Sequence, residues 1–335
     1  MSSLAPFLES DRIGLIAPAF GAHIDPPEPV ARAILSHAHA DHAVDGHGEI
    51  WATPETAALY RRRYPEWRGR AREVALGETI ESGGAALTLH PAGHVLGSAQ
   101  LLFEADGDSL LYTGDFKRRR GRTAPPAAAP RANTLLMETT FGLPVFRFPD
   151  AARLEEEVLE TCRGAFAAGE TPILLAYALG KSQEAAAILE SAGIPVVLHG
   201  AAWKLMPEYR AAGVALSNAR AYEEGPPGRG EALIVPPTCV RQPIVRKIRA
   251  RRVAYLSGWA RREASRSEFD ADALIPFSDH ADFDGLLAHV AQVAPRRVVT
   301  LHGFAREFAR ILSARGIAAE PLAERAERRE EDAGA

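Results

Sequence analysis

Leu35-Ser36-His37-Ala38-His39-Ala40-Asp41-His42 is the stretch on which the reading of this chain turns. Three imidazoles and a carboxylate fall within six residues, directly after the apolar run 31–36 (ARAILS). Side chains alternate in direction at a strand end, so His37 and His39 can share one metal while Asp41 and His42, past the turn, can reach another. A donor set of nitrogen and oxygen suits zinc first, with manganese or iron(II) as alternatives. The only cysteines are Cys162 and Cys239, with no partner at C-x-x-C spacing, so neither a thiolate zinc site nor a disulfide framework is available. The plain alternative is a polar loop with chance histidines, but H-x-H-x-D-H is longer than chance patterns usually run.

Other short apolar runs bounded by Gly, Pro, Asp or Asn read as strands: 86–90, 100–104, 109–113 and 134–138. Two of them lead into further donors. Pro91-Ala92-Gly93-His94-Val95-Leu96-Gly97-Ser98-Ala99 sets His94 on a glycine-flanked turn, and Tyr112-Thr113-Gly114-Asp115 ends a strand with an acid. Alone, His94 reads as a loop histidine and Asp115 as a turn or capping residue. At strand ends beside the first motif, both become candidate ligands. His23 and His47 are expected to be structural or surface residues.

Thr53-Pro54-Glu55 opens a helix to residue 64 with a cap, a first-turn proline and an early acid. After Gly142-Leu143-Pro144 the pattern becomes helix 150–168, strand 173–176, loop 180–182, a helix through 189, then strands at 194–198, 231–235 and 253–256. This alternation predicts a parallel-sheet unit over residues 146–262. The return segment 263–318 contains strand 297–301 and helix 305–314, and 319–335 is expected to be a charged, frayed end. Lys181 and Ser182, in a Gly-bounded loop opening a helix, are candidates for binding a flanking phosphate, with a plain surface lysine as the alternative.

With 335 residues and 47% apolar content, the chain can bury one large domain or two intimate ones. No apolar run reaches membrane-spanning length and residues 1–12 lack a signal-peptide layout, so a cytoplasmic location without membrane contact is expected. The net charge of −4 argues weakly against a polyanionic partner. Against that stand basic islands at Arg61–Arg72, Lys117–Arg122 and Arg241–Arg252, which could follow a phosphate backbone or be solvated faces.

HAHADH, PAGHVLGSAQ and YTGDFK, in this order, resemble the metallo-β-lactamase fold, an αββα sandwich. Leu136-Met137-Glu138-Thr139-Thr140-Phe141-Gly142, Phe277-Ser278-Asp279-His280-Ala281-Asp282-Phe283 and Thr300-Leu301-His302-Gly303 further resemble the signature elements of its β-CASP nuclease subfamily, in which an α/β cap domain is inserted. The resemblance, over about residues 14–314, is greatest to bacterial ligase-associated DNA exonucleases, formerly labelled mRNA 3′-end processing factors. It implies a lactamase domain in residues 1–145 and 263–318 and a cap at 146–262. The implied metal ligands are His37, His39, Asp41, His42, His94, Asp115 and His302, holding two divalent ions. Asp25 is implied to orient the histidine loop from behind, and Glu138 with His280 to form an acid dyad.

The resemblance implies a nuclease, in which Asp115 is expected between the two metals and His280, kept protonated by Glu138, supplies the departing oxygen with its proton. Asp41 is counted both among the ligands and among the catalytic groups. DNA is the expected substrate, with functional association to a DNA ligase and helicase. His302 keeps RNA open, because histidine at that position accompanies RNA-acting members. Rival readings are a small-molecule thioester hydrolase of the same fold, which leaves Glu138, His280 and His302 unexplained, and a catalytically silent binding protein, which has no need of convergent ligands.

Overall fold

Leu110, Tyr112 and Leu136 belong to one apolar core, while their chain neighbours Leu111, Leu135 and Met137 belong to another. That alternation marks a sheet buried on both faces. The structure, a computed structural model, describes residue 4 and residues 6–322. It divides into two compact units, one of residues up to Arg119, Ala124–Pro144 and from His280 onward, the other of Arg120–Thr123 and Val145–Asp279.

The first unit opens with β1 (Glu9–Ser10), β2 (Leu15–Ala17), β3 (Ala22–Ile24), β4 (Arg32–Ile34), β5 (Glu49–Ala52) and β6 (Arg70–Glu73), which form one sheet in chain order. β3 to β6 are parallel. Next come β7 (Thr79–Ser82), β8 (Ala85–Pro91), β9 (Ala99–Ala105), β10 (Asp108–Tyr112) and β11 (Thr134–Glu138). The second unit holds β12 (Thr171–Leu175), β13 (Val196–Leu198), β14 (Ala219–Ala221), β15 (Ala232–Val235), β16 (Arg251–Leu256) and β17 (Ala273–Ile275). They make a sheet ordered β14-β13-β15-β12-β16-β17, every pair parallel. The chain then returns to the first unit with β18 (Arg297–Leu301) and β19 (Ala319–Pro321), completing its second sheet in the order β19-β18-β11-β10-β9-β8-β7.

In the first unit, Ile24, Ile34 and Trp51 of one sheet share a core with Leu101, Phe103, Leu110 and Leu136 of the other. On the far face of the first sheet, Ala33, Leu35 and Ile50 pack with Ala57 and Tyr60 of the helix Pro54–Arg63. On the far face of the second, Leu135, Met137 and Val298 pack with Phe283, Leu286 and Val290 of the helix Phe283–Val293 and with Phe308 and Leu312 of the helix Ala305–Ser313. The layers are helix, sheet, sheet, helix: the αββα sandwich of the metallo-β-lactamase fold, with an α/β unit inserted.

Two sequence expectations need correction. The return was expected from residue 263, yet β17 pairs with β16 and residues through Asp279 cluster with the inserted unit. Three strand residues carry too little periodicity to be separated from a loop. Residues 319–335 were expected to be frayed, but Ala319–Pro321 pairs with β18, with Ala319 opposite Val298. Residues 323–335 of that tail lie outside the described residues.

Candidate metal centre

The donors gather because the strands that deliver them end on one edge. The histidine loop follows β4, Asp115 follows β10, Glu138 closes β11, and His302 follows β18. β10, β11 and β18 are mutually parallel, so their carboxyl ends share an edge, where α/β sheets commonly place ligands. His94 sits in the connection between β8 and β9. The loops are stitched together by backbone: Ala99 N donates to Ser36 O at 2.8 Å and Lys117 N to Ala92 O at 2.8 Å. Gly114 has φ +51°, and a Cβ there would lie 2.7 Å from Ser36 Cβ, so the Asp115 loop can approach the histidine loop only as glycine.

His37 Nε2 lies 3.1 Å from His39 Nδ1, which lies 2.9 Å from His94 Nε2. Asp115 Oδ2 is 3.6 Å from Nε2 of both His37 and His94. Ligands about 2.1 Å from one ion, at tetrahedral to octahedral angles, stand roughly 3.0–3.4 Å apart, close to these two nitrogen separations. Burial, and then the histidines around it, hold His37 well below the usual imidazole range, leaving it neutral as a ligand must be. This donor set fits a divalent metal ion.

His42 Nε2 is likewise 3.6 Å from Asp115 Oδ2 and is 3.8 Å from Asp41 Oδ2, and the His302 ring centre is 5.9 Å from that of His42. Burial works against charge on His42, but Asp115, Asp25 and Asp41 outweigh it and raise the imidazole to about 10. The carboxylates around His42 thus favour positive charge at this point. Asp25 sits behind this group as the family resemblance implies. Its Oδ2 is 3.0 Å from His42 Nδ1 and accepts from Tyr112 Oη at 2.9 Å and Ser36 Oγ at 2.6 Å, which turns His42 Nε2 toward Asp115.

His280 Nδ1 lies 2.9 Å from Glu138 Oε1, and its Nε2 lies 4.0 Å from Asp115 Oδ2. Glu138 also accepts from Phe116 N at 3.2 Å and Thr140 N at 3.1 Å. Burial pushes this carboxyl up, but His280 and Thr140 prevail and hold it below the usual carboxylate range, so it stays ionised.

Lys181 and Ser182, the candidates for holding a flanking phosphate, have partners within the protein. Lys181 is 6% exposed with Nζ 3.0 Å from Asp279, and the buried Ser182 hydroxyl donates to Tyr177 O at 2.7 Å. Both side chains are engaged within their own unit. His23 bonds Asp11 at 2.8 Å and the buried His47 accepts from Val30 N at 3.3 Å, so both serve structure. Cys162 and Cys239 are free and buried. The basic islands are partly neutralised, Arg61 by Glu73, Arg122 by Glu155 and Arg252 by Glu170. Ser36 and Tyr112, which brace Asp25, were not singled out in the sequence. Their adjacency to His37 and Asp115 was the only signal. Among the described residues no helix is long and apolar enough to cross a membrane.

Fold and site together place a His/Asp cluster able to hold a metal ion on a known architecture. The model of the metallo-beta-lactamase superfamily matches residues 9–160, so the chain carries a segment similar to that superfamily's domain. Its relatives point toward nucleic-acid proteins. It is 42% identical over 313 residues, 93% of its length, to a protein of Opitutus terrae named "Probable DNA ligase", of which it covers 30%. It is 38% identical over 129 residues to the transcription termination factor FttA of Methanothermobacter thermautotrophicus, covering 35% of this chain and 20% of that protein. With endoribonuclease ysh1 of Emericella nidulans it shares 37% identity over 197 residues, 47% of this chain and 22% of the relative. The chain thus spans less than a third of each of these three relatives. A crystal structure of a protein of unknown function from Enterococcus faecalis V583 aligns with TM-score 0.59 at 17% identity, over 88% of this chain and 80% of the other, and shows the fold alone.

Proposed function

We propose that this chain is a metal-dependent phosphodiesterase acting on nucleic acid, with DNA the first substrate and work alongside a DNA ligase and helicase its setting. The reading rests on the Glu138–His280 pair, whose Nε2 stands 4.0 Å from the central Asp115. A departing nucleotide alkoxide needs a proton, whereas a departing thiolate, from a thiol with pKa about 8.5, needs little help. A built proton donor therefore favours phosphodiester over thioester cleavage.

His37, His39, His94 and Asp115 would hold one divalent ion, and Asp115, Asp41, His42 and His302 the other, zinc first and manganese or iron as alternatives. Such ions supply Lewis acidity toward the phosphoryl group and toward water. The chain's own residues do the rest. Asp25 keeps a proton on His42 Nδ1 and so fixes which nitrogen faces Asp115. Glu138, ionised and held by two backbone amides, keeps the His280 ring oriented and protonated, and His280 Nε2 is the atom that passes a proton to the leaving oxygen.

RNA is the second reading, supported by the relative named an endoribonuclease. The deciding experiment digests 5′-labelled and 3′-labelled DNA and RNA oligonucleotides with zinc or manganese. Cleavage of DNA, lost in Asp115→Ala together with most of the bound metal, is the expected outcome. RNA cleavage alone would overturn the choice of substrate, and full activity in Asp115→Ala would overturn the metal mechanism.

A further inference from the structure

Tyr177 is the one aromatic among the large apolar side chains left exposed in the described residues, at 40%. It stands just past the carboxyl end of β12 in the inserted unit, on the edge where parallel sheets take ligands. Its backbone is fixed, the carbonyl accepting from Ser182 N at 3.1 Å and Ser182 Oγ at 2.7 Å. One ring face is also fixed. Lys181 Nζ lies 4.4 Å from the ring centroid, and that buried ammonium is anchored by Asp279 at 3.0 Å.

A ring held in this way loses little freedom when a second flat group covers its open face. The ammonium behind it draws π density away, which lessens repulsion between two parallel rings. We propose that Tyr177 is a stacking platform for a nucleobase of a single-stranded nucleic acid. A base inside a duplex has both faces covered by its neighbours, so only an unpaired strand or end offers one. The buried lysine at position 181 then acts as a positioning residue for the ring and not as a grip on phosphate. The inference rests on the nuclease reading and adds to it the strand state and the mode of contact.

The test measures binding of single-stranded oligonucleotides with phosphorothioate linkages, which resist cleavage, to the metal-loaded protein, in deoxy and ribo forms and as an abasic strand of equal charge. Tyr177→Ala is expected to weaken binding of base-bearing strands by roughly 5-fold to 150-fold and to leave the abasic strand unaffected. Tyr177→Phe should bind as the wild type does, and Tyr177→Leu, which keeps apolar bulk without a π face, should fail as alanine does. Equal losses on base-bearing and abasic strands, or no loss at all, would overturn the stacking role while leaving the nuclease reading intact. A wild type that binds no strand and cleaves none would overturn both.

Discussion

His280 and His302 are both histidines at the edge of the same centre, yet their surroundings differ in a way that suits the separate roles proposed for them. His280 has its Nδ1 on Glu138 and its Nε2 4.0 Å from Asp115, whereas His302 stands beside the His42 ring with φ +58°, a left-handed conformation that its loop must hold in place. If His280 is the acid, His280→Ala keeps near-normal metal content and slows cleavage roughly 10²-fold to 10⁴-fold. On a nitrophenyl phosphodiester, whose leaving group departs with little protonic help, variant and wild type should converge. His302→Ala should be slow on every substrate because a ligand is lost. Metal analysis with rates on both ester types checks this, and a His280→Ala protein that loses metal would refute the assignment.

At the scale of elements, the edge that carries the donors is only as firm as the helices behind its sheet. Phe308, fully buried in the helix Ala305–Ser313, meets Phe283 of the helix Phe283–Val293 edge-on at 6.0 Å between ring centres. It packs against the same sheet that ends in Glu138 and leads to His302. Phe308→Ala should cost about 3–5 kcal/mol in denaturant unfolding, since the space left behind cannot collapse fully. Leu76→Ala, at an exposed position, should stay within about 0.5 kcal/mol. Near-equal midpoints for the two variants would show that this layer contributes less than its burial implies.

The whole molecule has separate cores in its two units, and the candidate ligands all lie in the first. Unfolding should therefore depart from a single two-state transition, with a calorimetric enthalpy above the van't Hoff value. Metal binds the folded first unit, so metal at 100 times its Kd should add about 2.7 kcal/mol to that unit and raise its midpoint by roughly 5–11 °C. The second unit's transition should stay in place, and Asp115→Ala should abolish the shift. Scanning calorimetry with and without chelator reads this directly. Both transitions moving together would contradict independent cores.

What the sequence determined by itself was a set of candidate donors and where in the chain they stand. H-x-H-x-D-H, the glycine-flanked His94 and the strand-ending Asp115 are local patterns, and their spacing carries the donor set because each follows an apolar run that reads as a strand. The helix at Pro54 was legible for the same reason, through its Thr53 cap and first-turn proline. Only the tertiary structure decided what depends on distant partners. Asp25 meets Tyr112 across 87 positions, which nothing in the sequence reading paired, and His280 meets Glu138 across 142, a pairing that the family resemblance implied but no local pattern encodes. It also decided that Lys181 is buried under Tyr177 and held by Asp279, because burial is a property of the packed sheet edge and not of a Gly-Lys-Ser stretch. The short strands Ala273–Ile275 and Ala319–Pro321 belong to the same class: they are strands because a neighbour offers a ladder, and their own residues carry too little period to announce it.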